Sequence, residues 1–156
     1  MRIEVTRTIA ASPQAVFDRL ADFEGFEARA RARRIPVKRL LDNPPAWRIG
    51  VDWRGLSREV VLTVISVRPS EACEATLATR GVDGRARIAI APAPEGSRLT
   101  VTLDAGASGL AGRLVLQTLG FARPALEARL NAALARLAAE IEAVSTPPPG
   151  GNFGPS

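Results

Sequence analysis

A chain of 156 residues is long enough for one domain with a sizeable core, and 46% hydrophobic against 24% charged residues is ordinary globular composition. Histidine is absent and Cys73 is the single cysteine, which excludes His-based triads and bases, His or multi-thiolate metal sites, and an intramolecular disulfide. The net charge of +5 and pI near 11.1 are almost wholly arginine, spread from Arg2 to Arg136 and densest at Arg29, Arg31, Arg33 and Arg34, with little aromatic interleaving. The expectation is a solvated basic face, with nucleic acid not the expected partner.

Residues 2–9 place Ile3, Val5 and Ile9 on one parity and Glu4, Thr6 and Thr8 on the other, which predicts a half-buried strand interrupted by Arg7. There is neither a signal-peptide pattern before it nor a bilayer-length apolar run anywhere, so the cytoplasm is the default location. Ser12 is placed to cap a helix, and Pro13 suits its first position, where the missing N–H costs nothing. Val16, Phe17 and Leu20 then share a face. Gly25 predicts a break, with a second short helix at about Phe26–Arg33.

From Pro36 the period changes to two. Val37–Leu41 reads as a strand and Asn43-Pro44-Pro45 as a turn. In Trp47–Arg54, Trp47, Ile49, Val51 and Trp53 take one face. Gly55 allows a turn into Arg58–Val67, which is apolar on both parities between Val60 and Ile65 and therefore reads as covered on both sides or central to the sheet. Ala72–Thr79, Arg85–Ile90 and a strand holding Leu99, Val101 and Leu103 follow, divided by Gly81–Gly84 and by Pro92, Pro94 and Gly96. Hairpin spacing throughout predicts an antiparallel sheet.

The last region is helical. Leu126, Leu130, Leu134, Leu137, Ile141 and Val144 form a stripe, Leu110–Phe121 is apolar nearly all round, and Pro124 predicts a break around Ala122–Arg123. Residues 145–156 have the composition of a disordered Pro/Gly-rich tail, leaving 1–144 as the domain.

This order of elements resembles the START-like (SRPBCC) superfamily, which includes polyketide cyclases and dehydrases and lipid-transfer domains. The stretch Val5–Asp22 is similar to the family's opening, in which a strand delivers an Ala-x-Pro turn and then a helix with a hydrophobic–aromatic pair, here Val16 and Phe17. The resemblance implies an α+β helix-grip fold: a curved antiparallel sheet of six to seven strands wrapped around a long C-terminal helix, with two short helices after the first strand. It also implies space between sheet and helix. Small residues on the helical region (Ala111, Gly112, Gly120, Ala122, Ala125, Ala133) favour leaving that space open, while Leu and Ile side chains packing it shut is the alternative.

The expected lining is Phe23, Phe26, Trp47, Ile49, Val51, Trp53, Leu62, Leu77, Ile88, Ile90, Leu116, Gln117 and Gly120. Trp47 and Trp53 line a pocket or fill the core; Phe23 and Phe26 act as a gate or as a plug. Asp52, Glu59, Glu74 and Asp104 fall on parities read as solvent-facing, and Cys73 reads as an inert strand thiol. The leading expectation is a non-catalytic module holding a small hydrophobic molecule, such as a lipid, isoprenoid or polyketide-like compound. It needs no cofactor or metal and works as a monomer or homodimer. The alternatives are a cyclase or dehydratase, and an interaction module docking its basic face on an anionic partner.

Overall fold

The computed structural model describes residues 1–53 and 56–145, apart from the side chains of Trp53, Leu56 and Ser145. Arg54 and Gly55, expected to end a strand and form a turn, and the tail from residue 146 lie outside the described residues. The strands are β1 (Arg2–Ile9), β2 (Val37–Asp42), β3 (Pro45–Trp53), β4 (Leu56–Arg68), β5 (Ala72–Thr79), β6 (Val82–Ala93) and β7 (Gly96–Ala107). They form one antiparallel sheet in the order β1-β7-β6-β5-β4-β3-β2. Strands β2 to β7 are a meander of consecutive hairpins. Strand β1 joins the β7 edge, so the connection from β1 to β2 must travel from one edge of the sheet to the other.

Two helices make that connection, α1 (Pro13–Leu20) and α2 (Phe23–Ala32). Ser12 Oγ accepts the Ala15 N–H at 3.1 Å, the cap that the sequence predicts, with Pro13 in the first turn. Gly25 does not break the chain as expected: α2 starts at Phe23, and Gly25 lies inside its first turn. Asp22 caps this helix by accepting the Gly25 N–H at 3.0 Å, and a Cβ on residue 25 would collide with that same carboxylate. Glycine is needed there for close approach of the cap.

The C-terminal region divides where Pro124 predicts, into α3 (Gly109–Phe121) and α4 (Arg123–Ser145) around Ala122. The Ala122 N–H closes α3 onto Thr118 and Leu119, while its carbonyl accepts the Leu126 N–H and opens α4. Helix α4 lays Leu134, Ala138 and Ile141 on Ile3, Val5 and Ile9 of β1, Ile90 of β6 and Leu99 and Val101 of β7, with Val16 of α1 in the same cluster. This half of the sheet is closed by tight apolar packing. No helix among the described residues is long and apolar enough to cross a membrane.

Strand β4 is central to the sheet, between β3 and β5, the second of the two placements its doubly apolar run allows. No second layer covers it at Ile65, which is 45% exposed at a register shift between Val64 and Ser66. Arg7 stays in unbroken register opposite Leu99 and is exposed without a bulge.

Helix α3 rests on the sheet through glycine. Gly112 is buried against the β5–β6 turn, where Gly81 has φ +72° and its carbonyl accepts the Ser108 N–H at 2.9 Å. A Cβ on Gly112 would overlap the Gly81 carbonyl, whereas one on Gly120, in the same helix, meets nothing within 4 Å. Gly112→Ala is therefore expected to lower stability by about 1–3 kcal/mol through overpacking. Gly120→Ala should raise it by up to about 1 kcal/mol through helix propensity. Chemical denaturation of the two variants checks both signs.

Candidate functional site

The concave face is not closed everywhere. Toward β3, β4, β5 and β6, a cavity of about 310 Å³ lies between the sheet and the helices. Its floor is Trp47, Leu62, Val64, Cys73, Ala75, Ala86 and Ile88; its roof is Leu20 of α1, Phe23, Phe26 and Arg29 of α2, and Leu137 of α4. The register explains the space. Ala75 of β5 sits directly opposite Ala86 of β6, and Cys73 opposite Ile88, so the floor is shallow where two methyl side chains meet. Cys73 is half-buried, and desolvation, aided by the nearby Glu74 carboxylate, pushes its thiol up.

One wall is held by a polar tie. Glu27 of α2 is buried, with 9% of its surface exposed. Its Oε2 accepts Arg39 Nε–H at 2.8 Å and Trp47 Nε1–H at 2.9 Å, while its Oε1 accepts Arg39 Nη2–H at 3.1 Å. Arg39 also donates to Asp42 at 3.3 Å, and its guanidinium carbon lies 5.6 Å from the Trp47 ring centroid. The indole packs against both phenyl rings of α2, with centroids at 5.3 Å to Phe23 and 5.2 Å to Phe26. The Arg39 and Trp47 hydrogen bonds hold the Glu27 carboxyl below the ordinary carboxylate value, outweighing desolvation; the same pairing, led by the Glu27 bond, pushes the Arg39 guanidinium up.

Of the residues expected to line a pocket, the structure brings together Phe23, Phe26, Trp47, Leu62 and Ile88 around the cavity. Ile49 lines an adjoining hollow with Phe26, Arg29 and Leu137. Ile90 packs in the closed core, and Leu77 is half-buried on β5 opposite Gly84. Val51 is 38% exposed and borders a groove with Arg48 and Arg58. Leu116, Gln117 and Gly120 lie on α3, the last two exposed. The Trp53 side chain is outside the described residues.

Glu27 and Arg39 escaped the sequence reading, and their signal was present. Glu27 stands at the fourth position after Phe23, in one stripe with Phe26 and Ala30, and Arg39 shares a strand parity with Val37. Each is a charge on an apolar face. Asp52, Glu59 and Asp104 are exposed as expected, while Glu74 is partly covered and accepts Arg87 Nη1–H at 3.0 Å.

A seven-stranded antiparallel sheet gripping a long C-terminal helix, with an apolar hollow beneath the helical cover, defines a helix-grip α+β protein. Residues 1–142 match the family described as polyketide cyclase / dehydrase and lipid transport, and the chain belongs to that family. Among solved structures it is similar to TTHA0849 from Thermus thermophilus, at 15% identity and TM-score 0.71 over 94% of this chain and 100% of that one. The ZhuI aromatase/cyclase from Streptomyces sp. R1128 is similar at 16% identity and TM-score 0.67, over 91% and 93% of the two chains. The di-domain ARO/CYC StfQ from the steffimycin biosynthetic pathway gives 16% identity and TM-score 0.64, over 88% of this chain and 49% of that chain. These likenesses carry the fold. No curated protein matches the sequence.

The tie has a pH signature. Because the folded state holds Glu27 below its ordinary 4.5, the unfolded chain takes up the proton first as pH falls. The stabilisation is whole above that ordinary value and is lost progressively below it. Glu27→Gln should be less stable than the wild type by about 1–3 kcal/mol at about pH 6, with a gap that narrows toward about pH 3.5. Parallel melting-temperature profiles for the two proteins would contradict this account.

Proposed function

We propose that residues 1–144 form a binding or carrier domain for a small hydrophobic molecule held in the 310 Å³ cavity, with Phe23, Phe26, Trp47, Leu62 and Ile88 in contact with it. The observation that carries this reading is the composition of the lining. Of its twelve described lining residues, Arg29 alone is charged, and the Trp47 N–H is already engaged by Glu27. The volume is at the lower end of the roughly 300–1,000 Å³ typical of small-molecule sites. Family membership supports the same reading, since its description joins lipid transport to polyketide cyclisation.

The cyclase or dehydratase alternative draws on that description too. Its candidates are Arg29, to polarise a carbonyl, and Cys73, whose thiol is shifted toward the protonated form. Under that alternative a bound hydrophobic substrate leaves chemically changed; under the carrier reading it leaves intact. Mass spectrometry of the extracted molecule separates them.

The uncharged fluorophore N-phenyl-1-naphthylamine is expected to bind the wild type with saturable enhancement of emission. Ala86→Phe, which places a ring at the shallowest part of the floor, should weaken that binding at least about ten-fold while leaving the circular dichroism spectrum unchanged. Unaltered affinity in a folded Ala86→Phe protein would place the dye elsewhere and defeat the reading.

A further inference from the structure

The adjoining hollow has a different chemistry from the cavity it borders. It encloses about 300 Å³ and shares Phe26, Arg29 and Leu137 with the apolar cavity, so the two spaces meet at those side chains. Its lining adds Arg33 from the end of α2 and Arg136 from the facing surface of α4. Among the described residues, none of Arg29, Arg33 and Arg136 forms a salt bridge. The one acid among the described lining residues, Glu140, is engaged by Arg19 at 2.6 Å.

Such an arrangement needs a reason. Arg29 and Arg33 are four residues apart on one side of α2, and the Arg29 guanidinium reaches back over Gly25, its Nη1 3.0 Å from where a Cβ there would sit, on the side of the Asp22 carboxylate. Arg33, at the end of α2, is favoured by the negative end of the helix dipole. That explanation stops at α2. Arg136 comes from another helix and lines the same hollow, at the threshold of an apolar chamber. An anion seated between Arg33 and Arg136 would be met by fork-shaped donors from two directions.

We infer that the guest is an amphipath whose apolar part fills the cavity and whose anionic head, a carboxylate or a phosphate, is held at the mouth by Arg33 and Arg136. This rests on the cavity reading above and extends it from an apolar guest to a fatty-acid-like or alkyl-phosphate-like one. Arg29, half-buried and shared by both spaces, marks the junction between tail and head. Arg33 and Arg136 are exposed, so they can be changed without disturbing the fold.

The test uses displacement of bound N-phenyl-1-naphthylamine by decanoate, decyl phosphate and decanol, three ligands with one tail and different heads. The wild type should prefer one or both anions over the alcohol at least about ten-fold, and the preferred anion identifies the head group. In Arg33→Gln/Arg136→Gln the anion preference should fall to about two-fold or less, with decanol binding unchanged. A control pair, Arg85→Gln/Arg98→Gln, removes the same net charge at two exposed positions that do not line either space and should keep the preference. Equal binding of the alcohol and both anions to the wild type, or equal loss in both double variants, overturns the head-group site while leaving the cavity intact. If neither the dye nor any of the three ligands binds, the cavity reading falls and this one falls with it.

Discussion

The candidate site depends on one buried carboxylate. Helix α2 is ten residues long, and it must be held over the β2–β3 edge of the sheet if a hollow is to exist beneath it. Glu27 does this by accepting three hydrogen bonds, two from Arg39 on β2 and one from Trp47 on β3. Removing a carboxylate from water is costly unless its lone pairs are met, and here they are met by a fork and an indole that themselves need acceptors. The tie fixes the Trp47 ring, and that ring fixes Phe23 and Phe26. Without it, those three aromatics would have every apolar reason to collapse into the space they now border.

That space has a definite place because the sheet is used asymmetrically. Strands β1 and β7, with Ile90 of β6, are packed shut against α4 by Leu134, Ala138 and Ile141. The cavity is confined to the other half, where α4 contributes Leu137 and the roof passes to α1 and α2. The small side chains responsible are on the floor: Ala75 against Ala86. In the cavity itself the small residues belong to the strands; of those expected on the terminal helices, Ala133 lines the adjoining hollow. Gly112 is small because α3 rests on the Gly81 backbone, and the exposed Gly120 takes no part in the cavity.

Strand alternation was the most legible feature, because half-buried antiparallel strands write their two faces into the sequence at period two. The break at Ala122 was legible for an equally local reason, the missing N–H of Pro124. What escaped were cases in which a tertiary partner changes the meaning of a residue. Gly25 looks like a helix breaker until Asp22 is seen to need its space. Glu27 and Arg39 each look like a defect in an apolar pattern, and they make sense as a pair whose members lie 12 residues apart in sequence. The run Val60–Ile65 allowed either a covered strand or a central one, and the choice between them rested on strand neighbours that no local pattern names. The aromatic half of the cavity wall was readable, whereas its polar support was not.

The direction of the electrostatic shifts bears on what such a site does. A general acid or base works best when its proton affinity is brought toward neutrality. Glu27 is held the other way, as a carboxylate committed to its donors, and the Cys73 thiol is pushed toward its protonated form. Both changes favour the chemically quiet species. Affinity in a chamber of this kind comes mainly from apolar area removed from water, about 25 cal/mol per Å², a contribution that barely distinguishes one hydrocarbon from another. Under the proposed carrier reading, discrimination would arise where the lining turns polar, and that is at the arginines between α2 and α4. On that reading, the buried charge holds a wall in place and recognition is left to the charges at the door.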